Sequence, residues 1–235
     1  FSVFHPRDNT ECPVLRVSGT ILEQNTKAKL LGIMLQDDIK HQHTITHIIK
    51  KLQPMIQQFK YATKLLPTAI MRQQYYTHIY PHLIGCISIW GTDEPNRTYI
   101  QPLIRTQKKI IRIMKNLPPR THTKPLMTEL HILNITNLYI HRVCVEMHTF
   151  IHEETAPNRP EHDHHYIPRT LIHDYPTRHA LTGNHYVNDR QGVTAYLHNK
   201  YATIWDSLPE KMKTETSRTI FKMNLKKYLL RKQSM

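Results

Sequence analysis

Glycine is scarce in this chain: six copies are scattered over 235 residues. That excludes a Gly-rich loop of the kind that cradles nucleotide phosphates with its backbone amides. Cysteine is scarcer still. Three copies, Cys12, Cys86 and Cys144, odd in number and far apart, make no disulfide framework and suit a reducing compartment, nuclear or cytoplasmic. No apolar run approaches the roughly 20 residues that a membrane-spanning helix requires, so no membrane partner is expected. Acidic residues are outnumbered, 18 Asp and Glu against 32 Lys and Arg, for a net charge of +14 and a pI near 9.7. That balance points to a polyanionic partner, nucleic acid ahead of an anionic membrane surface; a basic but inert surface is the plainer alternative. A signal peptide is also missing, and the chain opens on Phe1 rather than Met, as a fragment would. What remains, 39% hydrophobic and 21% charged residues, suits a soluble globular chain of one large domain or two small ones.

The most informative stretch is Thr68–Leu117. Ile70, Met71, Tyr75, Ile79, Leu83, Ile87 and Trp90 recur at three- and four-residue steps, which predicts a helix with one buried face. Pro81 should kink that helix rather than end it, and Gly91 should stop it. A second helix, Tyr99 to Leu117, carries the apolar stripe Ile100, Leu103, Ile104, Ile110, Ile111, Met114 and Leu117. Against it lies a basic set, Arg105, Lys108, Lys109, Arg112 and Lys115. From Pro95 through Thr128 there are eight Lys or Arg and no acidic residue, more basic surface than solubility needs.

The rest of the chain is read around this stretch. Val14–Val17, Thr20–Leu22 and Leu30–Leu35 are strand candidates broken by Gly19 and Gln24-Asn25, too little sheet to stand alone. Thr44 to Leu66 is a first long helix with Thr44 as N-cap and Pro54 as a bend or a split. Pro118-Pro119 closes the basic helix. A short helix over Thr123–Leu130 follows, then another from about Ile135 to His152. Glu153 to Asp189, rich in Pro, Asn and His, has no usable period and predicts a long loop or partial disorder.

Several segments carry a resemblance. Ile79-Tyr-Pro-His-Leu-Ile-Gly-Cys-Ile-Ser-Ile-Trp-Gly91, followed by Leu103–Ile113, resembles the region after the polymerase core in LINE-type, jockey-like non-LTR retrotransposon reverse transcriptases. Gly85 departs from the aromatic usual there. Leu31-Gly-Ile-Met-Leu-Gln-Asp37 is similar to the segment closing that family's palm, so Leu31, Gly32 and Ile33 are implied as primer-grip-like. Glu129–Tyr139, His173–His179 with Asp174 for Asn, Tyr201–Pro209 with Asp206 for Asn, and the tail Phe221–Leu230 follow in the family's order.

The resemblance implies RNA-directed DNA polymerisation for a full-length parent, and thumb-like clamping of a template–primer duplex here. Its phosphate contacts would be Arg105, Lys108, Lys109, Arg112 and Lys115, with Arg72 and Arg120 alongside; such contacts position without reading sequence. The upstream palm and fingers would be a further partner. Catalysis there needs Asp residues holding two divalent metals, so Mg²⁺ is expected only for that palm. The Asp37-Asp38 pair here is preceded by Gln36 and followed by Lys40 and His41, with no second apolar strand. No catalytic residue is assigned to this chain.

Histidine is abundant, with 18 copies. His141, Cys144, His148 and His152 share roughly one helix face, and all are possible zinc ligands. On one straight helix they would spread over about 16 Å, so they are read as a solvated face beside a core stripe, without metal. The fold expectation is mainly α, in four parts: palm-like strands over 1–40, a helical thumb-like bundle over 41–152, a loop over 153–190 and a helical segment over 191–235. The alternative function is a non-enzymatic basic helical scaffold that binds protein, from a decayed or co-opted element.

Overall fold

A computed structural model describes residues 14–23, 27–30, 33–36, 41–152, 166–168, 185–187 and 192–234. The chain is mainly helical, with two small antiparallel sheets near its N-terminus. It divides into two compact units, Phe1–Thr136 and Asn137–Met235. The last helix expected in the thumb-like bundle therefore falls, from Asn137 onward, in the second unit.

In the first unit, β1 (Arg16–Val17) and β2 (Thr20–Ile21) pair antiparallel. Ser18 (φ 50°) and Gly19 (φ 81°) turn between them, both in the left-handed region that tight hairpins with right-twisted strands need. The single strand expected over Leu30–Leu35 is two arms, β3 (Lys27–Leu30) and β4 (Ile33–Gln36), with Leu30 opposite Ile33. Polar Lys27 and Lys29 hide the first arm from a count of apolar residues. Helix α1 (Gln42–Ala62) packs on β4, where Ile33 is 5% exposed. Thr44 is not its cap: it lies buried inside the first turn, and its Oγ1 donates to Met34 O at 3.0 Å. Pro54 does not split α1, which runs through it and stops short of Leu66.

The next helix departs from its sequence reading in an instructive way. Helix α2 (Thr68–Gln74) runs through one π turn, Tyr75–Ile79, into α3 (Tyr80–Ile84). The Tyr80 N–H reaches back to Tyr75 O, and this wider turn comes just before Pro81, where an α-helix would lack a donor and meet the proline ring. The helix then breaks sooner than Gly91. Gly85 is extended (ψ 110°), Cys86 is left-handed (φ 52°), and α4 (Ile87–Trp90) restarts the turn before Gly91 stops it. Trp90 folds back, donating from Nε1 to Gly85 O at 2.7 Å. A Cβ on Gly85 would lie 3.3 Å from Pro81 O, so a side chain there would crowd this break.

A 3₁₀ turn (Thr98–Ile100) leads into α5 (Gln101–Met114), and α6 (Lys124–Glu129) follows. Helices α1 and α5 run parallel. At their starts the rings of His41 and Tyr99 are 6.2 Å apart, and at their far ends Lys60–Lys64 and Ile113–Leu117 line one cleft. Leu52, Ile56, Met71, Tyr75, Ile79, Leu83, Trp90, Leu103, Ile110 and Ile111 form the core of this unit, all fully buried. Burying each such side chain contributes about 1.5–3 kcal/mol.

Scarcity of glycine shows at the helix ends. After α5, Asn116 (φ 49°) donates to Ile113 O at 2.9 Å and Leu117 donates to Arg112 O at 2.9 Å. After α6, His131 (φ 54°) donates to Thr128 O at 3.1 Å and Ile132 to Met127 O at 2.8 Å. Both are paired six-to-one and five-to-two helix stops that glycine usually makes. Here Asn and His hold the left-handed position instead.

The second unit holds α7 (Ile135–His152) from Asn137 on, α8 (Gly192–Asp206), α9 (Glu210–Lys213) and α10 (Arg218–Ser234). Two short strands, β5 (Tyr166–Pro168) and β6 (His185–Val187), pair antiparallel inside the stretch expected to be a loop. The rest of 153–190, with His173–His179, lies outside the described residues.

The histidine face is not solvated. His148 is 1% exposed, stacks on Phe221 with ring centroids 4.3 Å apart, and places Nε2 2.7 Å from Glu215 O. His152 places its Nε2 3.1 Å from Lys213 O. A carbonyl only accepts, so both rings carry a hydrogen on Nε2. Burial pushes the Cys144 thiol up to about 12 and the His141 imidazole down to about 4, the latter aided by Lys226, Lys222 and Arg142 against a hydrogen bond to the Lys222 backbone. These side chains pack α7 against the C-terminal helices rather than facing water.

Candidate nucleic-acid interface

Helix α5 divides its residues by face. Leu103, Gln107, Ile110, Ile111 and Met114 are buried, whereas Arg105, Lys108 and Lys109 are exposed. At steps of three and four, those three charges form one stripe along the helix. Arg120, in the loop beyond, is exposed as well. These four have no hydrogen-bond or ion-pair partner among the described residues.

The other three sequence-predicted contacts are tied into the fold. Arg112 is half-buried and donates from Nε to Thr121 O at 2.8 Å, which holds the Pro118-Pro119 loop against α5. Lys115 pairs with Glu129 at 2.6 Å, joining the ends of α5 and α6. Arg72 donates from Nε to Leu130 O at 2.7 Å, with its guanidinium 5.5 Å from the Tyr76 ring centroid. The Tyr76 hydroxyl donates to His131 O at 2.8 Å, so both side chains clamp the left-handed stop after α6. A guanidinium held by one Nε–H keeps its other donors, yet it cannot swing toward a ligand without giving up that bond.

No family model, curated protein or solved structure matches this chain. The site therefore stands on its own geometry. Leu31, Gly32, Asp37 and Asp38 lie outside the described residues, and Ile33 sits buried at the start of β4.

A second positive field surrounds α1. The imidazole of His47 is held below its ordinary range by desolvation and then by Lys51, Lys29 and Lys50; His82 is lowered by desolvation and then by Lys51. These residues come from β3, α1 and α3, so no single helix pattern announces them. Nor did the sequence reading single out Lys60, Tyr61 and Lys64 at the end of α1, which with Asn116 and Leu117 line a cleft of about 410 Å³. The signal was present as two lysines flanking an aromatic residue.

Proposed function

We propose that the chain is the part of a LINE-type, jockey-like reverse transcriptase that follows the catalytic palm, and that its first unit grips a template–primer duplex through phosphates. Supporting this reading are the motifs that follow one another in the family's order and the net charge of +14. The observation that carries it is the exposed stripe of Arg105, Lys108 and Lys109 on a helix whose opposite face is wholly buried. Such a helix holds three full charges on a rigid support, so phosphate contact costs little side-chain ordering beyond the lysines themselves.

Duplex titrations at several salt concentrations test it. Three to four phosphate contacts give a slope of log K against log salt of about −3 to −4 on duplex DNA, alike for every sequence. Arg105→Glu, Lys108→Glu and Lys109→Glu together should flatten the slope and weaken binding of an RNA–DNA duplex. The same reversal at exposed Lys222, Lys227 and Lys232 changes net charge equally and should cost far less. Equal losses from the two triple variants would leave only a basic scaffold.

A further inference from the structure

At the C-terminal end of the α5 stripe, the surface opens into the cleft between α1 and α5. Ile113, one turn beyond Lys109 within α5, is among its lining residues, so the line of Arg105 and Lys109 leads into the cleft. Gln57, Lys60, Tyr61, Lys64, Asn116 and Leu117 are among its lining residues, and its volume of about 410 Å³ accommodates one nucleotide. Tyr61 is 72% exposed, and the neighbouring Leu65 is 84% exposed. An aromatic ring held in water between two lysines is a poor structural element and a good stacking platform.

Charge fits the same occupant. From Ile39 through Thr92 the sequence has no Asp or Glu, and from Ile39 through Thr128 it has two, Asp93 and Glu94, against 14 Lys and Arg. The cleft does lie at two helix C-termini, each equivalent to about half a negative charge. Lys60 and Lys64 carry two full positive charges, and amides after each helix already cap end carbonyls: Leu65 and Leu66 donate to Ala62 O, Asn116 to Ile113 O. The balance favours an anion held by the lysines, with its uncharged part toward the helix ends. A phosphate with its base answers to that description.

We propose that this cleft takes an unpaired nucleotide of single-stranded nucleic acid, with the base stacked on Tyr61 and the adjoining phosphates on Lys60 and Lys64. Gln57 and Asn116 each present an amide donor and acceptor, which accommodates any base edge without selecting one. The proposal rests on the nucleic-acid reading above and deepens it, placing an unpaired strand where the α5 stripe ends.

The test compares the whole chain with its Tyr61→Ala, Tyr61→Phe and Arg105→Glu/Lys108→Glu/Lys109→Glu variants. Fluorescence anisotropy measures each with a labelled oligothymidylate and with a DNA duplex of the same length. Tyr61→Ala should weaken the single strand about tenfold, in the range for losing one base–aromatic stack, and leave the duplex unchanged. Tyr61→Phe should bind as the parent does, since stacking needs the ring and not the hydroxyl. Loss of duplex binding in the triple variant beside an unaltered oligothymidylate affinity in Tyr61→Ala would sink the cleft proposal alone. If the parent bound neither probe, the nucleic-acid reading would fall first and this one with it. An oligoglutamate peptide whose binding Tyr61→Ala weakens, while the oligonucleotide is untouched, would assign the cleft to an acidic protein segment and overturn the proposal.

Discussion

Gln107, on the buried face of α5, donates from Nε2 to the phenolic oxygen of Tyr75 at 3.1 Å, 32 residues away in sequence. The same amide nitrogen reaches Leu133 O at 2.9 Å, and its Oε1 accepts from the Ile135 N–H at 3.1 Å. One side chain, 0% exposed, thus joins the π turn, α5 and the segment entering α7. Desolvation around the same contact raises the Tyr75 hydroxyl far above its ordinary range, more than the Gln107 hydrogen bond lowers it.

Gln107→Leu should therefore destabilise the first unit by about 2–4 kcal/mol, although it adds apolar bulk to a core position, because it strands the buried Leu133 carbonyl and Ile135 amide. Urea unfolding measures it. A cost no larger than that of Ile111→Val, about 0.5–1.5 kcal/mol, would mean the network contributes little.

His131→Gly should stabilise the chain by about 0.5–1 kcal/mol by relieving the left-handed strain after α6, net of the flexibility glycine adds to the unfolded state. Asn116→Gly should gain less, since Asn tolerates that conformation better than His. His131→Ala keeps the strain and should gain nothing. Thermal unfolding of the three variants orders them, and a destabilised His131→Gly would contradict the prediction.

Arg72→Lys keeps the charge and should still lower stability, by about 1–2 kcal/mol, since an ammonium cannot both reach Leu130 O and sit over the Tyr76 ring as the guanidinium does. Denaturant midpoints of Arg72→Lys and Arg72→Met should fall together. A fully stable Arg72→Lys would show that charge alone matters at this place.

His141 sets a pH dependence. Its folded pKa is about 4 against an ordinary 6.5, so between those values the unfolded chain binds the extra proton. Stability is then complete above pH 6.5, falls as pH drops toward 4, and levels off below it, with a loss of about 3 kcal/mol. His41, His47 and His82 are shifted the same way and add to the slope. The positive groups bearing on His141 are Lys222 and Lys226 on α10 and Arg142 on its own helix. His141→Gln should flatten the profile in urea titrations across this window; an unchanged slope would show that His141 carries no part of it.

Much of this was legible from residue order. Helical periodicity is a local property, so α1 and α5 fall close to where their apolar steps place them, and the split of α5 into an apolar and a basic face follows from spacing alone. Helices α6 and α7 also lie near their expected ranges, whereas the closing helix α10 was expected from the resemblance of Phe221–Leu230. Breaks within helices were harder. The stop at Gly85–Cys86 depends on a Trp90 indole folding back, and the π turn before Pro81 depends on how the ring is accommodated. Neither leaves a periodic trace.

Tertiary structure decided which charges the fold keeps for itself. Arg72, Arg112 and Lys115 look like Arg105, Lys108 and Lys109 in the sequence, yet each of the first three meets a carbonyl or carboxylate brought near by the fold, 58 residues away for Arg72, nine for Arg112 and 14 for Lys115. His148 likewise looks solvated by composition, until a carbonyl 67 residues further on and the Phe221 ring enclose it. Apolar spacing determined where helices form, because that choice is made among neighbours within a few turns. Which polar groups remain available to a ligand was settled by partners distant in sequence, and only the folded chain brings those together.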